Sequence, residues 1–205
     1  MTLALIDYGA GNLRSVENAL RTAGCDDLAV TADADVVARA DRIVLPGVGA
    51  FGACADALRG VDGMIAALER RVRGDGVPFL GICVGMQLMA TAGEELGIHD
   101  GLGWIVGCVR RIEPATIATK VPHMGWNDVV PTRAHPLIEP GEAYFLHSYA
   151  FEDDAAGDDV IATTNHAGPV TAAIARDNMI GVQFHPEKSQ RYGLALLERF
   201  LAWRP

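Results

Sequence analysis

The chain is short of the features that mark out many functional classes. Basic residues are scarce: 17 Lys and Arg stand against 26 Asp and Glu in 205 residues, for a net charge of -9. Nucleic-acid binders carry a basic face. Here the densest basic run, Glu69-Arg70-Arg71-Val72-Arg73, reads as a solvated helix face, so no nucleic-acid partner is expected. No apolar stretch reaches the roughly 18 residues of a membrane span. Met1–Asp7 has no basic segment before its short apolar run, so no signal peptide is expected. The four cysteines, Cys25, Cys54, Cys83 and Cys108, lie far apart with no Cys-x-x-Cys or Cys/His ligand spacing, which argues against a metal site. Free thiols without a secretion signal point to a reducing, cytoplasmic setting. Repeats, low-complexity segments and linkers are also missing, so residues 1–205 read as one domain.

Glycine is plentiful instead. The chain holds 23 of them, against a typical share of roughly 7%. With no collagen period to absorb them, they must serve tight turns and close backbone approaches.

The hydrophobic pattern gives the fold class. Leu3–Tyr8, Leu28–Val30, Arg42–Leu45 and Pro78–Cys83 read as strands. Between them lie helical segments: one with a stripe of Leu13, Val16 and Leu20, a short one over 34–40, and one over 53–73 broken near Gly60–Gly63. A further helix is expected over Met86–Glu95. Such alternation means βαβ units and a mainly parallel sheet covered on both faces. The second half offers strands over Cys108–Ile112, Asp128–Val130, Ala143–Phe151, Val160–Ala162, Val170–Ala175 and Met179–Phe184, which would extend the same sheet in antiparallel or mixed fashion. A last helix over Gly193–Trp203 carries Leu194, Leu197 and Leu201 as its stripe. The expected fold is α/β, a central sheet flanked by helices.

The sharpest chemical signal is Gly81-Ile82-Cys83-Val84-Gly85-Met86-Gln87. It joins a strand to a helix in the form of a nucleophile elbow, which exposes the central side chain at the sheet's C-terminal edge. The helix start behind it favours a thiolate. A cysteine nucleophile needs an oriented imidazole. Of the six histidines, His185 in Gln183-Phe184-His185-Pro186-Glu187 is followed two residues on by a carboxylate. Residues two apart on an extended segment point the same way, so Glu187 can orient His185 in a Cys83–His185–Glu187 relay. Oxyanion donors are expected from the amide of Val84 and from the glycine-rich segment Pro46-Gly47-Val48-Gly49-Ala50-Phe51-Gly52 after the third strand. Gly9-Ala10-Gly11-Asn12-Leu13-Arg14 opens like a dinucleotide fingerprint but lacks its third glycine. No glycine loop ends in Gly-Lys-Ser/Thr. No cofactor is expected.

Gly81–Gln87 together with Gln183–Ser189 resembles the class I (triad) glutamine amidotransferases. Asp7–Leu13, Leu45–Phe51, Val121–Asn127 and Tyr144–Tyr149 are similar to the glutaminase subunits of imidazole glycerol phosphate synthases. The likeness runs in order from Asp7 to Ser189, with Val84 standing where leucine is common. It implies that glutamine is hydrolysed to glutamate and ammonia. Gln87, Glu95, His147, Ser148 and Tyr149 would hold the glutamine. A (β/α)8-barrel cyclase subunit would dock over Asn12, Pro122, Met124, Trp126, Tyr144 and Lys188 to form a heterodimer. Ammonia would pass through that barrel to make imidazole glycerol phosphate and aminoimidazole carboxamide ribonucleotide. The second oxyanion amide would come from Val48, or from Gly49 beside it, and glycine on both sides of Val48 would let the Gly47–Gly49 strand act as a peptide-flip switch favoured by partner and nucleotide. Two rivals stand beside this reading: a partner-free cysteine hydrolase, and a binding module with an unreactive Cys83.

Overall fold

The computed structural model describes residues 1–113, 119–154 and 158–205. The first half alternates as its pattern predicts: β1 (Leu3–Ile6), α1 (Leu13–Thr22), β2 (Leu28–Thr31), α2 (Ala34–Val37), β3 (Arg42–Gly47), α3 (Phe51–Gly60), α4 (Met64–Leu68) with a π-helical turn over Glu69–Gly74, β4 (Phe79–Cys83) and α5 (Val84–Gln87). Then come β5 (Ala90–Gly93), β6 (His99–Asp100), β7 (Ile105–Arg111), β8 (His123–Pro131), β9 (Gly141–His147), β10 (Tyr149–Glu152), β11 (Val160–Asn165), β12 (Pro169–Arg176) and β13 (Met179–Val182). A short 3-10 turn, Pro186–Lys188, leads into α6 (Gln190–Ala202).

A nine-stranded sheet runs in the order β2-β1-β3-β4-β13-β12-β11-β8-β9. The pairs from β2 to β13 are parallel, and those from β13 to β9 are antiparallel. Strands β1, β3, β4 and β13 are buried throughout, as their unbroken apolar runs require of strands covered on both faces. Around the sheet, α1 packs against α6, and α4 against α2 and α3.

Three expectations need correction. The helix over Met86–Glu95 stops at Gln87, and Ala90–Gly93 becomes β5, paired with β6 and β7. Strand pairing overrides local propensity there. Gly93 also lies so close to Phe51 that a side chain at 93 would meet its ring at 2.6 Å. Second, the second half does not extend one sheet alone: β10-β7-β5-β6 form a separate four-stranded sheet. The single strand expected over Ala143–Phe151 therefore splits at Ser148, its two parts serving different sheets. Third, α6 buries Gly193, Leu196, Leu197 and Phe200, while Leu194 and Leu201 are only partly covered. Its apolar face is turned from the predicted stripe, although it keeps the helical period.

The topology gathers the candidate residues. In β3, β4 and β13, side by side and parallel, Gly47 lies opposite Cys83, and Val182 opposite Ile82. The oxyanion segment, the cysteine and the His185 segment thus leave the sheet at one carboxyl edge, where open α/β sheets form their sites.

Candidate active site

Cys83 ends β4 with φ +53°, a left-handed conformation that side chains rarely adopt, and α5 starts at the next residue. The sharp turn depends on its glycines. A Cβ at Gly85 would meet the Leu45 carbonyl oxygen at 1.9 Å, and one at Gly81 would meet the Gly85 oxygen at 2.7 Å. Elbow and β3 therefore touch backbone to backbone.

His185 lies just beyond β13. Its Nδ1 is 2.9 Å from Glu187 Oε1, and both side chains are buried. A carboxylate accepts here, so Nδ1 carries the proton. Nε2 is buried without a hydrogen bond among the described residues, and Cys83 is its neighbour. Burial disfavours the imidazolium, but Cys83 and Glu187 outweigh burial and push the His185 pKa up from 6.5 to about 9.

A cavity of about 310 Å³ opens beside the pair. Val48, Gly49, Cys83, Val84, Gln87, Glu95, His147, Ser148, Tyr149 and His185 all line it, so every candidate for the catalytic, oxyanion and glutamine contacts except Glu187 faces one space. Glu187 stands behind His185. A larger groove of about 720 Å³ shares Tyr149 with this cavity, but no cysteine lines it.

The oxyanion segment is fastened on one side. Tyr8 Oη donates to the Pro46 carbonyl at 2.7 Å, and Cys54 Sγ to the Val48 carbonyl at 3.4 Å. Burial, then the nearby thiols, push the Tyr8 hydroxyl well above its ordinary pKa, and burial raises the Cys54 thiol too. Gly49 follows with φ +112°. Glu95 Oε2 accepts the Phe51 amide at 2.8 Å, at the start of α3. Here a carboxylate supports a helix N-terminus that Ala50 leaves without a side-chain cap.

Gln183 joins the site although the motif gave it no role. It is fully buried, and its Nε2 donates to Cys83 Sγ at 3.7 Å. Its Oε1 accepts from Gln87 Nε2 at 3.0 Å, and Gln87 Nε2 also donates to the Tyr149 carbonyl at 3.0 Å. Both amide hydrogens of Gln87 are used, which turns its Oε1 into the free acceptor. The extended segment expected from Gln183 to Glu187 is not found: β13 ends at Val182 and Pro186–Lys188 is a 3-10 turn, so it is that turn, and not strand alternation, that brings Glu187 to His185 Nδ1, and no local period signalled Gln183.

Of the expected docking residues, Pro122 and Lys188 line the cavity mouth. Met124 and Trp126 are 62% and 47% exposed, high for such large apolar groups. Trp126 meets Tyr144 edge-on at 6.1 Å, and Lys188 Nζ sits 5.8 Å over the Tyr144 ring. Asn12 is exposed ahead of α1 and does not reach the cavity. The preceding Gly11 lies against Pro46 of β3, at the same sheet edge. Among the described residues, no group of three or more His, Cys, Asp or Glu could hold a metal ion, and no helix is long and apolar enough to cross a membrane.

A family model described as glutamine amidotransferase class-I matches residues 4–203. The chain is 60% identical over 209 residues to the imidazole glycerol phosphate synthase subunit HisH of Zymomonas mobilis, covering 100% of this chain and 97% of that one. It is 53% identical over 213 residues to the subunit of the same name from Caulobacter vibrioides, covering 100% and 99%. Among solved structures, a glutamine amidotransferase superposes with TM-score 0.75 at 16% identity, over 98% of each chain. The glutaminase domain of Trypanosoma brucei CTPS with bound acivicin does so with TM-score 0.66 at 16% identity, over 100% of this chain and 95% of that one. At such identities the structural likeness is one of fold.

Proposed function

The chain belongs to the class-I glutamine amidotransferases, and from that membership we propose how its cavity works. Its function is glutamine hydrolysis feeding imidazole glycerol phosphate synthase in histidine biosynthesis. Glutamine enters the cavity with its carboxamide against Cys83. His185 Nε2 takes the thiol proton, and Sγ attacks the carboxamide carbon. The oxygen gains negative charge and is met by the Val84 amide and by an amide of the Val48–Gly49 segment. His185 returns the proton to the departing nitrogen, which leaves as ammonia. A glutamyl thioester remains on Cys83. Water, deprotonated by His185, cleaves it to glutamate and restores the thiol. Glu187 holds the imidazole in the needed tautomer and steadies its charge.

Gln87 presents Oε1 to the glutamine head group, and the Glu95 carboxylate pairs with the α-ammonium. Ser148 and Tyr149 offer backbone groups, and His147 borders the same end. A barrel cyclase subunit covers the cavity mouth, seated on Met124, Trp126 and Tyr144 and engaging Lys188 and Asn12, and it receives the ammonia. One domain spans the chain, which works in the cytoplasm as half of that heterodimer.

The observation that carries this reading is Cys83 at a positive-φ elbow beside an imidazole bonded to a buried carboxylate. A peptidase or thioesterase could share that pair, but the docking strand and the 48–60% identity to HisH subunits favour the amidotransferase. A glutamine-mimicking electrophile tests it. Mass spectrometry should find one label, on Cys83, slowed by free glutamine and by His185→Asn. Labelling indifferent to glutamine would contradict the proposed pocket.

A further inference from the structure

Strand β8 carries different chemistry on its two sides. Met124 and Trp126 face outward, while His123 and Asn127 point inward beside β9, as the strand alternation dictates. His123 lies directly opposite His147 in the antiparallel pair. Its ring stacks between Phe145, at 4.7 Å, and His166, at 4.2 Å. Its Nδ1 is 3.1 Å from His147 Nε2, and its Nε2 is 3.0 Å from Asn127 Nδ2. His147 Nδ1 is 2.9 Å from the Tyr149 carbonyl. Asn127 Nδ2 donates also to the Asn165 carbonyl at 2.8 Å.

Both ends of this chain are carbonyls, which only accept. That fixes every proton between them. His147 must donate from Nδ1 to Tyr149, so its Nε2 is the lone pair that accepts from His123 Nδ1. The Nε2 of His123 then accepts from Asn127. Both imidazoles must be neutral, and their surroundings keep them so. Burial, then His166, lowers the His123 pKa to about 4. Burial, offset in part by the Tyr149 bond but reinforced by the other histidines, lowers that of His147 to about 3.

The Tyr149 carbonyl is also the acceptor that orients Gln87, which in turn bonds Gln183 at the Cys83 sulfur. We propose that His123 is a positioning residue of the glutamine pocket, acting through His147 on the Tyr149 carbonyl and so on Gln87, with Asn127 fixing its tautomer. His123 touches no reacting atom. It holds the frame against which the head group is read, on the strand whose outer face is the docking surface. The inference rests on the glutaminase reading above.

The test uses the assembled synthase with a barrel cyclase partner, assayed with glutamine and separately with ammonia. His123→Phe keeps a flat ring in the stack and removes both hydrogen bonds, whereas His123→Gln can still donate to one neighbour and accept from the other. For His123→Phe the KM for glutamine should rise about tenfold, the range expected when a buried polar partner is left unpaired. Its kcat and its ammonia-dependent rate should hold. His123→Gln should return KM to within about threefold of the parent, because one amide can make both bonds. A Phe variant with parental KM, or a Gln variant as impaired as Phe, overturns the proposal. If His123→Phe gives no cooperative melt, Asn127→Leu replaces it, with raised KM as support and parental KM as refutation. A parallel Cys83→Ala separates the two claims. If it keeps glutamine-dependent synthesis, the glutaminase reading itself fails. If it loses that activity while the His123 pattern is absent, only the positioning role falls.

Discussion

The imidazole of His185 holds its proton more tightly than a free histidine because a buried carboxylate and a sulfur face it from two sides. Glu187→Gln removes the carboxylate that accepts from Nδ1 and lets the ring turn. The kcat for glutamine should fall by about a hundredfold or more, the usual share of a positioned acid–base group. The alkaline limb of the rate profile should move to lower pH, since the proton needed by the leaving nitrogen is held less tightly. Stability follows the same sign. The His185 pKa is raised on folding from 6.5 to about 9, so its contribution is whole below about 6.5 and is lost as pH rises through about 9. Thermal melts of the parent should drop across that window, and those of Glu187→Gln should drop less. An unmoved alkaline limb would assign that limb to another group. At this scale the sequence was legible where chemistry needs a fixed local spacing, as at Cys83 and at His185 with Glu187. It was silent on Cys54, Tyr8 and the His123–His147 pair, because their roles come from strand pairing and packing between distant segments.

Elements were legible where the apolar period was long and unshared. The parallel strands β1, β3 and β4 and helix α1 follow from their own runs. Residues 86–95 misled because Met86 and Met89 are apolar three residues apart, as in a helix, yet α5 ends at Gln87 and the chain turns at once into β5. The pairing partners of β5 are β6 and β7, which lie outside the segment whose period suggested a helix. The elbow itself is an element-scale device: it works only if β4 and α5 press against β3. Gly85→Ala would set a methyl group 1.9 Å from the Leu45 carbonyl oxygen, a backbone atom that cannot swing aside. The expected loss is about 3 kcal/mol or more, read as a lower melting temperature together with loss of glutaminase activity. A Gly85→Ala chain that melts like the parent would mean the elbow and β3 separate easily. The neighbouring Val48–Gly49 peptide is different in kind, since among the described residues only the Cys54 thiol holds its carbonyl. That single bond is consistent with a segment that can turn when a partner docks.

For the whole molecule, the glycine excess now has addresses. Gly47, Gly81 and Gly85 occupy places where a side chain would strike the backbone or side chains of the neighbouring site segments. The acidity, -9 overall, argued against a nucleic-acid partner without naming a protein one. The protein partner came from the resemblance of the motifs, and the exposed Met124 and Trp126, with the kinship to HisH subunits, support it. The central claim is that one cysteine makes ammonia here for chemistry performed elsewhere. It is tested most directly with Cys83→Ala in the assembled synthase, following product formation from glutamine and from ammonia. The account predicts that the glutamine-dependent rate falls to background while the ammonia-dependent rate stays at the parental level. Glutamine-dependent synthesis that survives the substitution would contradict it.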